Sequence, residues 1–397
     1  MWAFLRKIFF GKSDNYAVIE VLNNSVRIFL LRFYTDKKRI EFLNNSVRFF
    51  NGFDRGEILK IIKLMAGRAA KSSNLNIILT LDSQLATTIY STISLIRTRP
   101  KELIDEADLD NLISQSIWRF FDRERLKAAQ KMGVGDIDVL LGDVRVKEIK
   151  VDGHKVVNAI GFKAKSLDIS LSQTFVPRDF IKGIYDIFTP GKISFITEAG
   201  ASLSHFIRNA GGEKKPFLLA NLFYSNSEVF RGLDERISYV SGLDWGEVNL
   251  LSRIGESLLV EEDTAKGVLD SYFKNNTSQN FLKKIENILT SELTALIQKI
   301  DKLNPMGSGA VYLNPYFNLP PLIFSPHFKP RLNGGLKLVS PAVELIVKDL
   351  GFELEFNKLA DIKNSATVLV AFLEFILLPN NERLNHIVNR RVRWLTN

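Results

Sequence analysis

The stretch YAVIEVLNNSVRIFLLRF, Tyr16 to Phe33, decides how the rest of the chain is read. β-Branched and aromatic residues run up to Asn-Asn-Ser and resume after it. The segment therefore predicts a β-hairpin with its turn at Asn23 and Asn24. The hexapeptide LNNSVR occurs here at Leu22 to Arg27 and again at Leu43 to Arg48, inside a further extended piece, Arg39 to Phe50. Two copies do not make a repeat protein. A helix follows over Glu57 to Ala70, with Ile58, Ile61, Ile62 and Met65 on one face, and then a strand over Asn76 to Leu81.

Further along, Asp105 is placed to cap a long helix reaching to about Met132, with Leu109, Leu112, Ile113, Ile117, Phe120 and Phe121 at helical spacing. Its basic residues Arg119, Arg123, Arg125, Lys127 and Lys131 are expected on a solvent face. Strands resume at Ile137 to Val151, at Val156 to Phe162 after a turn at Asp152 and Gly153, and at Leu167 to Val176. Residues 76–176 thus read as a compact insert of strand, helix and antiparallel meander. A short helix (Arg178 to Phe188), a strand (Ile193 to Ile196) and a second helix lead to a linker at Ala210 to Pro216. Beyond it come strands at Phe217 to Phe223 and Arg236 to Val240, then helices at Glu247 to Leu259, Glu261 to Phe273 and Gln279 to Leu303. A strand at Ala310 to Leu313 and helices at Pro341 to Leu350 and Ser365 to Leu378 close the pattern. Mixed strands and helices in two halves predict an α/β protein with an insert.

With 397 residues, 46% hydrophobic and 24% charged, the chain is long enough for more than one core. Its net charge of +9 is spread along the sequence without a dense basic stripe, so no nucleic acid is expected as a partner. The absence of cysteine excludes disulfides and thiolate metal sites and suits a reducing cytoplasm. No run approaches the ~20 apolar residues that span a bilayer; Ala366 to Leu378 is interrupted by Glu374 and stopped by Pro379. Met1 to Phe10 lacks a cleavage site and carries charge inside its apolar stretch, so it is not read as a secretory signal.

Both ends carry basic amphipathic segments. At 100° per residue, Trp2, Phe4, Leu5, Ile8 and Phe9 share an arc of roughly 160°. Leu384, Ile387, Val388, Val392, Trp394 and Leu395 do the same at the other end, with Arg390 and Arg393 outside the arc and Arg391 intruding. Either pattern fits a helix packed on its own domain or a helix lying on an anionic membrane; the cationic flanks with tryptophan favour the membrane.

Catalytic sets are scarce. His154, His205, His327 and His386 have no metal spacing and read as structural or surface residues. Gly11-Lys12-Ser13 lacks the glycine a phosphate-binding loop needs five positions earlier, where Arg6 stands. Gly200-Ala201-Ser202 is not a nucleophile elbow.

The element order and several short motifs resemble the FtsA/PilM-like branch of the actin-like ATPase superfamily. Lys101 to Leu112 running into the long helix, then Asp138-Val139-Leu140, Val151-Asp152-Gly153 and Ile160-Gly161-Phe162, look like the inserted 1C (SHS2-type) subdomain of that branch. Thr197 to Ser202 looks like its Glu-Pro-Leu-Ala helix start, Val260 to Lys266 like its Ala-Glu-x-x-Lys helix, and Ala366 onward like its closing Ala-rich helix. The resemblance spans about Tyr16 to Leu378. It implies a two-lobed actin-like (ribonuclease H-like) α/β fold: an N-terminal amphipathic segment at 1–14; a first lobe from 15–75 with 177–212; the insert at 76–176; a second lobe at 213–378 with a helical subdomain at 241–303; and the basic C-terminal helix at 379–397.

In that family the nucleotide lies between the lobes, its phosphates against two glycine-containing hairpins. Glycine lets backbone N–H groups approach the phosphates without a Cβ in the way. Here the first hairpin offers Glu20 where the family has Asp, Leu22 where it has Gly, and Asn23, Asn24 and Ser25. The second is Asn221 to Ser227, with Asn221, Ser225, Asn226 and Ser227 as its polar members. The adenosine loop is Leu313 to Phe317, with Asn314 and Tyr316. All three lack glycine. The resemblance thus points to degenerate nucleotide loops and a pseudo-ATPase, with Glu198 either a remnant of water positioning or a helix N-terminal carboxylate. The alternative, ATP with Mg²⁺ held by Glu20 and by Asn and Ser side chains, stays open at this level.

The function so implied is a scaffold on the inner face of the plasma membrane. Its partners would be the tubulin-like division protein, as for FtsA, or pilus inner-membrane proteins, as for PilM. A homo-oligomer or filament is a further expectation, as is the alternative of an ATP-binding, polymerising ATPase. The basic C-terminal segment favours the division role, and the start Met1 to Lys7 looks more like PilM.

Overall fold

The computed structural model describes residues 13–67, 75–233, 236–304, 309–326, 328, 337–356 and 366–377. The amphipathic arcs from Trp2 to Phe9 and from Leu384 to Leu395 lie outside them. The chain divides into two compact units, residues 1–206 with 343–361 and 367–397, and residues 207–342 with 362–366.

The first unit opens with the expected hairpin. β1 (Ser13–Val21) and β2 (Ser25–Tyr34) pair antiparallel around a turn at Leu22 to Asn24, and β3 (Arg39–Phe49) extends the meander. Asp54 caps α1 (Arg55–Ala66) by accepting a hydrogen bond from Glu57 N at 2.7 Å, and Ile58, Ile62 and Ala66 turn inward. The chain then crosses to β4 (Leu75–Leu81), which lies parallel to β1 with Val18 beside Ile78. β4 is therefore a strand of the central sheet rather than of the insert.

The insert's own sheet begins at β5 (Thr87–Ile96). Asp105 caps α2 (Glu106–Met132) as its position predicts, and Gly133 stops it in the left-handed region at φ 64°, its N–H bonding the Ala129 and Gln130 carbonyls. β6 (Val139–Val151), β7 (His154–Val156) and β8 (Ser166–Pro177) complete an antiparallel sheet in the order β5-β8-β6-β7. Leu109, Ile113, Ile117, Phe120 and Phe121 of α2 pack on that sheet against Leu141, Ile169, Leu171 and Phe175, forming a core distinct from that of the central sheet. The strand expected over Val156 to Phe162 is paired only through Val156. After it, Gly161 turns at φ 87° and bonds the Ile104 carbonyl instead.

α3 (Arg178–Ile187) leads to β9 (Ile193–Glu198), parallel to β4, and on into α4 (Ala199–Asn209). The second unit repeats the plan. β10 (Phe217–Leu222), β11 (Ser227–Leu233) and β12 (Arg236–Leu243) form a meander. Helices α5 (Glu247–Leu258), α6 (Glu262–Phe273) and α7 (Gln279–Lys302) follow, then β13 (Ala310–Pro315) parallel to β10 and β14 (Lys337–Val339) parallel to β13. Trp245 is fully buried among these helices, its Nε1 donating to Glu292 Oε1 at 2.9 Å.

α8 (Val343–Asp349), β15 (Glu353–Phe356) and α9 (Ala366–Ile376) close the described chain. The sequence reading places this stretch in the second lobe. In the structure β15 pairs parallel with β3, and α9 packs in the first unit, Phe372 meeting Tyr16 edge-on at 5.0 Å and Phe33 at 5.8 Å. Apolar residues surround α9 on every side, with Thr367 and Glu374 the polar exceptions, so it is buried all round from Thr367 to Glu374. The six-stranded sheet runs β15-β3-β2-β1-β4-β9 and the five-stranded one β12-β11-β10-β13-β14. Each is an antiparallel meander whose first strand continues into parallel neighbours. This doubled mixed sheet is the α/β class that the resemblance implies.

Because the insert has its own core, damage there should stay local. Phe120→Ala is expected to destabilise by about 3–5 kcal/mol and to raise hydrogen exchange first across 87–177, with the strands β1, β2 and β4 protected longer. Uniform loss of protection in all strands would contradict a separate core.

Candidate functional site

The polar residues the sequence singles out gather at the C-terminal ends of the central strands, within each unit. In the first unit these ends carry Glu20 (β1), Asp82 just past β4, and Glu198 (β9), all buried. Each carboxylate already has partners inside its own unit.

Glu20 lies 3.1 Å from Arg27 Nε of β2 and accepts a short hydrogen bond from Thr367 Oγ1 of α9. Burial pushes its carboxyl up, while Arg27 and the Thr367 hydroxyl pull it down. Glu198 is bound from the insert side: Ser83 Oγ donates to it at 2.8 Å, the Thr88 N–H donates to its second oxygen at 2.8 Å, and Lys131 Nζ pairs with it. Its own N–H donates to Thr88 Oγ1. Lys131, expected on the solvent face of the long helix, instead points inward with a side chain 11% exposed. The other basic residues of that helix stay outside, Arg125 pairing with Asp136 and both Arg123 and Lys127 with Glu124.

Asp82, which the sequence reading passed over, completes this cluster. Its Oδ1 accepts from the Gln84 N–H at 3.0 Å in a local turn, while Oδ2 is buried without a hydrogen-bond partner among the described residues. Burial raises its carboxyl to about 7, aided by the nearby Glu198 charge and opposed by the Gln84 N–H and by Lys131. The cluster is coupled: one lysine faces two carboxylates.

A second buried network was likewise unread in the sequence. Glu374 of α9 accepts from Lys147 Nζ of β6 at 2.7 Å, from Tyr90 OH of β5 at 2.9 Å and from Ser202 Oγ of α4, with His205 Nδ1 at 3.6 Å. Tyr90 and His205 stack at 4.0 Å between ring centres. Burial, reinforced by the Lys147 charge, lowers His205 to about 4 against the pull of Glu374, so its imidazole is neutral at pH 7. His205 is the structural histidine the sequence suggests. No signal in a single sequence connects residues 90, 147, 202 and 374; only the interior glutamate in an apolar helix hinted at a partner.

In the first hairpin the N–H of Leu22, at the family's glycine position, is already used. Leu22 N–H donates to the Ser25 carbonyl, the Leu22 side chain is buried in the core, and the Asn24 carbonyl receives Phe50 N–H. In the second unit the corresponding hairpin is closed in the same way. Phe223 N–H bonds the Asn226 carbonyl, and the Phe223 and Tyr224 carbonyls cap α5 through the Glu247 and Val248 N–H groups. Gly246 permits this approach, since a Cβ there would lie 2.4 Å from the Tyr224 carbonyl oxygen. Asn314 Nδ2 donates to Asn221 Oδ1 at 2.9 Å and Ser227 Oγ to the Trp245 carbonyl at 2.6 Å, both buried, while Ser225 stays exposed. Tyr316 stacks on Phe223 at 4.9 Å and its N–H bonds the Leu222 carbonyl. Taken unit by unit, the three loops lack the glycines of an ATP cradle, and Glu20 and Glu198, though not Asp82 Oδ2, are already engaged by cations.

Asp82 gives this cluster a pH signature. With a folded value of about 7 against roughly 4 for an unfolded aspartate, the native state holds the extra proton between these values. Stability from this group is therefore complete below about pH 4 and is lost as pH rises through 7. Asp82→Asn keeps the Gln84 contact and removes the titration. Urea midpoints of the variant should vary less between pH 4 and 8 than those of the parent and should exceed them above pH 7. Parallel pH profiles for the two would contradict the assignment.

No protein-family model matches this chain, and no curated protein matches it. Among solved structures it is similar to the PilM-PilN type IV pilus biogenesis complex, at 10% identity and TM-score 0.43, covering 91% of this chain and 98% of that one. It is similar to the diol dehydratase-reactivating factor in nucleotide-free form at 9% identity and TM-score 0.40, covering 81% and 96%. A third similarity, at 7% identity and TM-score 0.38, is to the ethanolamine utilization protein EutJ from Carboxydothermus hydrogenoformans, covering 90% and 89%. These are remote likenesses of shape, from which no residue's role follows.

Proposed function

We propose that the chain is a non-enzymatic actin-fold scaffold resembling the cell division protein FtsA, tethering cytoplasmic partner proteins to the inner face of the membrane. The observation that carries this reading is that both glutamates at these strand ends are already engaged. Glu198, read from the sequence as either a remnant of water positioning or a helix N-terminal carboxylate, is paired with Lys131 and bonded to Ser83 and Thr88, and Glu20 is held by Arg27 and Thr367. A carboxylate so engaged neither orients an attacking water nor holds a metal without losing its partners. Glu198 instead joins the insert to the end of β9.

On this reading the terminal basic segments supply the membrane contact, and the insert supplies a surface for protein partners. A PilM-like role as a pilus assembly platform is the second reading, favoured by the residues Met1 to Lys7. Both keep the scaffold and differ in the partner.

Isothermal titration of the full chain with Mg-ATP should give no saturable heat at micromolar concentration. Saturable binding that disappears in Glu20→Gln or Asn221→Ala would overturn the proposal. In sedimentation with phosphatidylglycerol vesicles, removing residues 1–11 and 382–397 together should weaken binding at least tenfold. Unchanged binding would remove the terminal segments from the account.

A further inference from the structure

The free end of the insert's sheet carries chemistry that the scaffold reading does not use. There the segments 96–104 and 159–166 are stitched together by backbone. Arg97 N–H donates to the Lys165 carbonyl at 2.9 Å, Ile104 N–H to the Phe162 carbonyl at 2.9 Å, and Gly161 N–H to the Ile104 carbonyl at 2.8 Å, while Leu103 bridges Lys163. The buried Arg97 guanidinium locks the two segments. It donates to the Glu102 carbonyl at 2.9 Å and the Ala164 carbonyl at 3.3 Å, and it pairs with Asp108 at 2.7 Å. Asp152 adds a further tie by accepting from the Lys165 and Ser166 N–H groups at 2.9 and 2.8 Å.

This stiff platform presents large apolar side chains to solvent. Ile96 is 88% exposed, Leu103 56% and Phe162 47%. Lys101, Lys163 and Lys165 are exposed beside them, and Lys101 and Lys163 have no ion-pair partner among the described residues. A single exposed leucine is ordinary. Three large apolar residues held on one rigid rim and interleaved with lysines are a combination that water alone does not explain.

We infer that this end of the insert docks on an anionic lipid surface, with Ile96, Leu103 and Phe162 entering the headgroup boundary and Lys101, Lys163 and Lys165 meeting the lipid charge. Within 96–104 and 159–166 the exposed cations outnumber the single exposed carboxylate, Glu102, which Arg99 already pairs, and although Asp105 and Glu106 lie just beyond, this balance favours an anionic occupant. Apolar tips that project separately from loops suit a fluid interface, which accepts each independently, whereas a folded protein would have to match all of them in shape. Lysine suits the boundary because its methylene stem lies along apolar material while the ammonium stays at headgroup level. The contact does not depend on the terminal segments.

The absence of cysteine from the chain makes a direct test available. Ile96→Cys in the full-length protein, labelled with a polarity-sensitive fluorophore, is mixed with phosphatidylglycerol vesicles and, separately, with phosphatidylcholine vesicles. The expected result is a blue shift on phosphatidylglycerol alone, with quenching by bromine-labelled acyl chains. Adding Lys101→Glu and Lys163→Glu should weaken the response by about tenfold or more, at roughly fivefold per cation near the surface. If the protein sediments with the vesicles while the probe stays in water, the terminal segments alone hold the chain; the inference then fails and the scaffold reading stands. A shift with soluble poly-glutamate and none with vesicles overturns the lipid assignment in favour of an acidic polypeptide. A protein that sediments with no vesicle contradicts both membrane contacts.

Discussion

One buried carboxylate sets the logic of the first unit. Glu198 ends β9 just where the chain turns into α4, and it is 1% exposed. An uncompensated charge there would cost several kcal/mol. Compensation comes from the segment that follows β4 and from the insert: the Ser83 hydroxyl, the Thr88 N–H and the Lys131 ammonium. Lys131 reaches it only because α2 runs uninterrupted from its Asp105 cap to Gly133 and returns its last turn to the sheet. A helix ending one turn earlier would leave Glu198 and Asp82 facing each other without a cation.

The Glu374 network does the same service at another place in this unit. Side chains from β5, β6 and α4 converge on that carboxylate of α9, so strands of the insert and helices packed on the central sheet share one polar node. Such a node adds little net stability over an apolar equivalent, but breaking one partner is costly. It therefore specifies how the insert sits on its own unit. Taken together, the two carboxylates make the insert an integral part of the first unit even though its apolar core is separate.

The local grammar was legible in the sequence. The Asn-Asn-Ser turn, the Asp105 cap, the apolar face of α2 and the closing helix α9 follow from turn chemistry and helical spacing, and each is found. What escaped were long-range pairings. β5 (Thr87–Ile96) went unread although Ile89, Ile93 and Leu95 alternate on its inner face, because serines and threonines interrupt the apolar pattern, and β15 is four residues long and pairs with the open edge of β3. Lys131 was misplaced because an amphipathic wheel sorts charge outward and cannot show that a buried carboxylate waits at the end of another strand. Asp82 sat unremarked beside a serine in what read as a plain strand end.

The central claim is that Lys131 and Glu198 form a structural clamp rather than a residual catalytic pair. A double-mutant cycle of Lys131→Met and Glu198→Gln, followed by urea denaturation at pH 7, measures it most directly. The clamp predicts that each single change costs about 3–5 kcal/mol, that the double variant recovers much of that loss, and that the coupling is of the order of 2 kcal/mol or more. Single losses that simply add, with coupling within about 0.5 kcal/mol of zero, would contradict it.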